Sequence, residues 1–378
     1  MKTIVTDQQW MDLALRLGRR CAGVTAENPA VGCVIVIDTK WGPELVGRGW
    51  TQRGGRPHAE RVALAEAGDR AKGATAYVTL EPCSHYGKSP PCAKGLIEAG
   101  VKRVVCAHPD PDKRVAGRGF EMLAEAGIMV DSGLEQQRAN RDLAGFLSRT
   151  KRNRPWLQVK MAVSPDGKTG VRGEGNFPIT GQAAKQATYG LRMQADAILV
   201  GIETAIVDDP SLTVRLPALE DRSPLRVVLD SKARLPLESH LVKTARDVPV
   251  WIMTSKAAQQ SKRDALERAG CIVLAIDPDS DGHVDLSKAL HSLSARGINK
   301  VFAETGATLA DALLARGLID EFILYQGVHI VGEEGIPALD GNPVKALTRA
   351  GFTCEMTRKM GEDRMIRFVH PNSIKQIN

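Results

Sequence analysis

The residues best suited to do chemistry are His58, Glu60, Cys83 and Cys92. They occur as His58-Ala59-Glu60, then Pro82-Cys83 and, after eight further residues, Cys92. Two thiolates and one imidazole give a zinc ion three protein ligands and leave the fourth tetrahedral position to water, the arrangement of a catalytic rather than a structural site. Zinc brings the pKa of such a water toward neutrality, making hydroxide available to attack an amidine-like carbon. Glu60 can stay outside the coordination shell and carry protons from the water to a departing amine, the division of labour of zinc deaminases. Each fragment alone is a weak signal, because cysteines are most often buried thiols and a Glu two places after a His arises readily by chance. Their joint order, with a strand ending just before Pro82, carries the assignment of one zinc per chain.

Those ligands need elements that begin where they stand. Residues 58–68 and 91–99 read as helices opening at the His and at the second Cys, so backbone N–H groups and positive helix ends favour thiolate there. Upstream, 7–22 has helical spacing with Asp7 as N-cap, 31–37 is a β-branched strand and 45–50 its hairpin partner. A helix at 117–126 and strands at 75–80, 101–107 and 128–131 complete βαβ units under a helix-covered sheet. The basic segment Lys151, Arg152 and Arg154 reads as a solvated linker. Beyond it strands recur near 156–163, 195–201, 225–230, 249–254, 271–276, 300–304 and 321–326, with surface loops at 217–224 and 277–283. The chain is thus an α/β protein of two domains, 1–150 and 151–378. Cys21, Cys33, Cys106, Cys271 and Cys354 sit in apolar segments and are expected in the cores.

Composition narrows the class. At 43% hydrophobic and 25% charged the chain is an ordinary globular protein. It has no signal-peptide pattern, no apolar run long enough to span a membrane and seven scattered cysteines, which together predict a cytoplasmic enzyme without a disulfide framework. The formal charge of +7 suits nucleic acid, a membrane surface or small phosphorylated ligands. A nucleic-acid base deaminase with a basic C-terminal binding domain would need a basic, aromatic-bearing face, but aromatics are only 4% and do not cluster with the basic residues. A non-catalytic, zinc-stabilised binding protein would want a fourth protein ligand and no Glu60. The expected partner is a small molecule, with no nucleic acid and no membrane; a homo-oligomer stays open.

In the second half no GxGxxG follows a strand, so an ordinary Rossmann reading lacks support. The strand ending at Glu304 runs into Thr305-Gly306-Ala307-Thr308 and a helix, where backbone N–H groups could receive a dinucleotide phosphate.

The segment Pro57-His58-Ala59-Glu60, with Thr79-Leu80-Glu81-Pro82-Cys83-Ser84-His85-Tyr86-Gly87-Lys88-Ser89-Pro90-Pro91-Cys92, resembles the bifunctional deaminase-reductase family of riboflavin biosynthesis, as does Asn28-Pro29-Ala30-Val31-Gly32. So do Ser164 to Thr169, Gly201 to Thr204, Asp208 to Arg215 and Leu229-Asp230-Ser231 in the second half. The resemblance implies a cytidine-deaminase-like αβα domain followed by a dihydrofolate-reductase-like α/β domain. It implies zinc deamination of a diaminopyrimidinone carrying a ribosylamino 5'-phosphate, then NADPH-dependent reduction of the ribosyl chain to ribityl. Carried over residue by residue, it places Asn28 on the ring and His85 and Lys88 near the phosphate. It places Ala162, Pro178, Thr204, Asp208, Ser231 and Gly306, Ala307 and Thr308 on NADPH. Asn176, Arg192, Leu212, Arg215 and Glu304 would hold the second substrate's phosphate, with Lys160 and Asp208 as candidate proton donors. Three departures stand out: Thr51 where the family usually has His, Asn176-Phe177-Pro178 for the usual Ser-Gln-Trp, and Thr305 before Gly306 where relatives often carry a small residue, so that a strained turn of the family is expected to differ here.

Overall fold

The computed structural model describes residues 6–87, 89–112, 115–175 and 177–378. The chain divides into two compact units, Met1–Arg152 with Ile377–Asn378, and Asn153–Gln376.

The first unit opens with helix α1 (Asp7–Arg19), whose N-cap is Thr6 rather than the expected Asp7. Thr6 and Gln9 form a capping box, while the Asp7 carboxylate accepts from Arg103 at 2.8 Å and from the Tyr77 hydroxyl at 2.5 Å. A five-stranded sheet follows in the order β2-β1-β3-β4-β5, from β1 (Gly32–Thr39), β2 (Gly42–Trp50), β3 (Thr75–Val78), β4 (Arg103–Cys106) and β5 (Met129–Ser132). The β1 run Gly-Cys-Val-Ile-Val is wholly buried, as befits a strand covered on both faces. β1 pairs antiparallel with β2 and β3, and β3, β4 and β5 run parallel. The crossovers carry α2 (Ala59–Ala67), α3 (Cys92–Glu98) and α4 (Arg118–Glu125), with α5 (Gln136–Asp142) and α6 (Ala144–Arg152) after the sheet. Gly47 and Gly49 let α2 lie directly on β2: a Cβ at either would fall 2.2 Å from the carbonyl oxygens of Ala63 and Ala59 respectively.

The basic segment is no solvated linker. Lys151 and Arg152 end α6, where Lys151 donates to the carbonyls of Ile377 and Asn378. Arg154 pairs with the fully buried Asp320 at 2.6 Å. A buried carboxylate demands a partner, and this cation supplies it.

The second unit is built on a nine-stranded sheet ordered β11-β10-β9-β8-β12-β6-β13-β16-β15. Its strands are β6 (Trp156–Val163), β8 (Ala197–Gly201), β9 (Leu225–Leu229), β10 (Val250–Ser255), β11 (Ile272–Ile276), β12 (Lys300–Glu304), β13 (Glu321–Gln326), β15 (Thr353–Met360) and β16 (Asp363–Val369). The two-stranded antiparallel ladder β7 (Lys168–Val171) with β14 (Gly335–Pro337) stands apart. The strands from β11 to β13 are parallel, and β16 joins antiparallel. Alternate residues feed two cores: Ala197, Leu199, Val227 and Met253 one face, Ile198, Val200, Val228 and Ile252 the other. Both faces are therefore covered, as parallel sheets require. The helices α7 (Gln182–Arg192) and α8 (Ile202–Asp208) flank β8 in the chain. Cys354 departs from expectation: it lies on the edge strand β15 and is exposed, because that strand has a neighbour on one side only.

Candidate active sites

In the first unit, two helix starts meet at a sulfur-nitrogen cluster. His58 is the N-cap of α2, with no side-chain bond to the helix, and Cys92 is the first residue of α3. His58 Nδ1 lies 3.4 Å from Cys92 Sγ and 3.7 Å from Cys83 Sγ, and the three donor atoms fall within 4.8 Å of one another. The Cys92 amide donates to Cys83 Sγ at 3.3 Å and the Ala93 amide to the Cys83 carbonyl at 3.2 Å, so the start of α3 fixes the other ligand. The Cys92 thiol, then His58 and the Cys92 amide, stabilise the Cys83 thiolate and hold its pKa at about 4. Pairing with Cys83 and burial push Cys92 up. Donor types and spacing fit a tetrahedral zinc ion.

Glu60, in the first turn of α2, is buried beside the cluster, and burial with the Cys83 charge lifts its carboxyl to about 7. A carboxyl poised there exchanges protons at neutral pH. Glu81, quoted in the sequence motif but given no role, is buried next to Pro82-Cys83. Its carboxylate accepts from the amides of Asp110 at 3.0 Å, Gly117 at 3.1 Å and Gly119 at 2.9 Å, tying the segment before α4 to the cysteine strand. A glutamate two residues before Cys83 was the available signal.

Asn28 is half-buried, held by Thr25 Oγ1 donating to its carbonyl at 2.7 Å. Gly55 packs on it with φ +88°, and a Cβ there would fall 2.1 Å from Asn28 Nδ2. Thr51 turns out to be a support: buried, it donates to the Pro29 carbonyl at 3.0 Å and accepts from the Val31 amide at 3.1 Å. It thus pins the loop after Asn28 to the end of β2. His85 borders a cleft of about 290 Å³ with Ser84, Arg118, Glu121, Met122 and Glu125, and its buried Nδ1 has no hydrogen-bond partner among the described residues. Lys88 lies outside the described residues.

The second unit gathers charges at the ends of parallel strands. Lys160 on β6 is in register with Glu304 on β12. Arg192, at the end of α7, donates through Nε and Nη2 to Glu304 at 2.6 and 3.0 Å and through Nη1 to the Thr213 carbonyl at 2.7 Å. The two were expected as separate substrate contacts; they bind each other, because a carboxylate this buried needs a fixed cation. Burial would lift Glu304, but Arg192, ahead of Lys160 and Arg215, outweighs it and keeps the carboxyl below its usual value. Burial lowers Lys160 and raises Asp208, and the two feel each other's charge. Tyr189, unremarked in the sequence, has the guanidiniums of Arg192 and Arg215 at 5.5 and 5.4 Å from its ring centroid, with Arg215 itself exposed. The Leu212 side chain is a correction: it is 2% exposed and packs in the core, with φ +53°, so it offers no side-chain surface to a ligand.

Thr204, Ser231 and Gly306 follow the C-terminal ends of the adjacent strands β8, β9 and β12. Thr204 Oγ1 would stand 3.8 Å from a Cβ on Gly306. Gly306 caps the helix Ala307–Ala315 in extended conformation (φ −77°, ψ 177°), and neither it nor Thr305 has a positive φ, so the turn is unstrained. Ala307 and Thr308 form the first turn of that helix. Ser231 Oγ accepts from the Val284 amide at 3.0 Å. Ala162 on β6 is half-buried, Pro178 is exposed, and Asn176 lies outside the described residues.

Residues 4–108 match the family model of the cytidine and deoxycytidylate deaminase zinc-binding region, and residues 155–366 match the RibD C-terminal domain. The riboflavin biosynthesis protein RibD of Escherichia coli (strain K12) is 39% identical over 376 residues, covering 96% of this chain and 99% of its own. Among solved structures, Acinetobacter baumannii RibD superposes with a TM-score of 0.84 at 38% identity, covering 96% of this chain and 98% of that one. A diaminohydroxyphosphoribosylaminopyrimidine deaminase/5-amino-6-(5-phosphoribosylamino)uracil reductase from Thermotoga maritima gives 0.82 at 27% identity with the same coverage. A deaminase unit with a zinc-type donor cluster, followed by a reductase unit on a mostly parallel sheet, places this chain in the RibD family of bifunctional riboflavin-biosynthesis enzymes.

Proposed function

We propose that the first unit deaminates a diaminopyrimidinone bearing a ribosylamino 5'-phosphate and that the second reduces the ribosyl chain of the resulting aminouracil to ribityl with NADPH. The observation that carries the reading is the His58, Cys83 and Cys92 donor cluster with the buried carboxyl of Glu60 beside it. Zinc held by His58 Nδ1 and the two sulfurs supplies the Lewis acidity that makes water nucleophilic near neutral pH. Glu60 takes a proton at its carboxylate as the ring carbon gains oxygen, and returns it to the leaving 2-amino group, which departs as ammonia. Asn28 orients the ring, and His85 and Lys88 meet the phosphate.

In the second unit the amides that begin the helix Ala307–Ala315 fit a dinucleotide phosphate, since Gly306 presents no side chain and caps none of them. Thr204, Asp208, Ser231, Ala162 and Pro178 complete the cofactor contacts. NADPH supplies the hydride, and the protein's part is binding, orientation and electrostatics. Arg215 holds the substrate phosphate, with Asn176 and the Leu212 backbone alongside, while Arg192, committed to Glu304 and the Thr213 carbonyl, adds its charge. Lys160 and Asp208 hold the mobile proton. A small pyrimidine substrate suits both units, and no helix among the described residues is long and apolar enough to cross a membrane.

The test is to incubate purified protein with the diaminopyrimidinone phosphate and follow ammonia and NADPH together. Ammonia should appear without NADPH, and NADPH should be consumed only after deamination. No ammonia, or oxidation of NADPH by the undeaminated compound in the Cys83→Ser protein, would sink the reading.

A further inference from the structure

Arg56 is a half-buried cation at the rim of the first site, two residues before His58. Elsewhere in this unit Arg19, Arg48, Arg70 and Arg103 each meet a carboxylate. Among the described residues Arg56 meets none; its hydrogen bond runs from Nη1 to Ser89 Oγ at 2.8 Å. Nη2 borders Gly87, 3.4 Å from where a Cβ on that glycine would stand. The guanidinium therefore lies along the insert between the two cysteine ligands, with Nε and Nη2 offered to no acceptor of the described chain. Two thiolates already balance the charge of a bound divalent cation, so the guanidinium keeps its own positive charge for an anion arriving at the rim.

We propose that Arg56 binds the phosphate monoester of the substrate and makes the deaminase unit selective for the phosphorylated compound over its dephosphorylated counterpart. The inference rests on the reading of the first site given above. The pyrimidine ring is neutral, so the phosphate is the fixed negative charge the substrate brings. Guanidinium meets it through paired, charge-assisted hydrogen bonds that a lysine cannot reproduce in geometry. The bond to Ser89 Oγ occupies one arm of the fork and sets the orientation of the others. The competing role is a clamp, in which Arg56 only fastens the insert and thereby Cys83 and Cys92.

Steady-state ammonia release separates the two, using the ribosylamino 5'-phosphate and its dephosphorylated form as substrates, with zinc content measured for each protein. Arg56→Gln should raise KM for the phosphorylated compound at least 10-fold, leave kcat within about twofold, and leave the dephosphorylated compound and the zinc content unchanged. Arg56→Lys should recover part of the discrimination. Equal losses on both compounds, loss of zinc, or unchanged discrimination in Arg56→Gln would overturn the inference while the site reading stands. Absence of ammonia from the unsubstituted protein would overturn both.

Discussion

The donor cluster draws its three groups from one stretch, His58 to Cys92, with His58 and Cys92 set by the starts of helices and Cys83 by the loop after β3. The reductase constellation draws Lys160, Arg192 and Glu304 from three distant elements, and Arg215 from a loop, brought together by the parallel sheet. Their charges are also balanced differently. In the first site two sulfurs and an imidazole converge and are suited to an added cation; in the second, Glu304 is already neutralised by Arg192. The lesson is that a metal site is specified by donor chemistry, which sequence spacing records, whereas an anion site assembled from strand ends is specified by topology, which it does not.

That contrast can be broken at several points. The largest effect is expected for Cys83→Ser, which removes a ligand: zinc by metal analysis should fall from about one per chain to a small fraction and deamination should vanish. Full zinc retention would refute the ligand set. Glu60→Gln should keep zinc and fold yet lose about 100-fold or more in kcat, the usual contribution of a positioned acid-base group. A parent-like rate would remove Glu60 from proton transfer. In the second unit Arg215→Ala should weaken the aminouracil phosphate by roughly 1.5 to 3 kcal/mol while sparing NADPH, the cost of one charge-assisted hydrogen bond. Titration of both ligands checks this, and equal weakening would contradict the phosphate role. The smallest effect sharpens the comparison most: His58→Ala should change reduction of supplied aminouracil phosphate less than about twofold, since each unit has its own core. Loss of both activities in a folded His58→Ala protein would mean one composite site.

Much of the fold could be read in advance because buried strands such as β1, β8 and β9 are runs rich in aliphatic residues, and because helices opened at chemically marked residues. The β15 and β16 pair went unseen. Thr353 to Met360 is exposed along its length apart from Met360, so no alternation marks a buried face, and only pairing with β16 makes it a strand. Thr6 displaced Asp7 as cap because Gln9 completes the reciprocal bonds that Asp7, turned to Tyr77 and Arg103, does not. Within the sites, the grouping of His58, Cys83 and Cys92 with Glu60 was legible from residue type and spacing together. The Arg192 to Glu304 pairing, the tyrosine under two arginines and the three amides on Glu81 each depend on residues meeting across the fold, and no local spacing encodes them.

The position of β6 at the middle of the large sheet has a consequence for synthesis. β6 is the first strand of its unit to be made, yet both its neighbours, β12 and β13, come from the far end of the unit, with Trp156 opposite Lys300 and Gln158 opposite Glu321. Contacts of such long sequence separation form slowly because chain entropy must be overcome before they reward the chain. On the ribosome the N-terminal unit can bury most of its sheet once β5 has emerged, whereas β6 must wait, unpaired on both edges until residue 304 is out and on one edge until residue 326 follows. The interval between those two events is when this chain most needs protection from aggregation, and a chaperone acting during translation would be expected to engage it after the first unit has folded and before the second can.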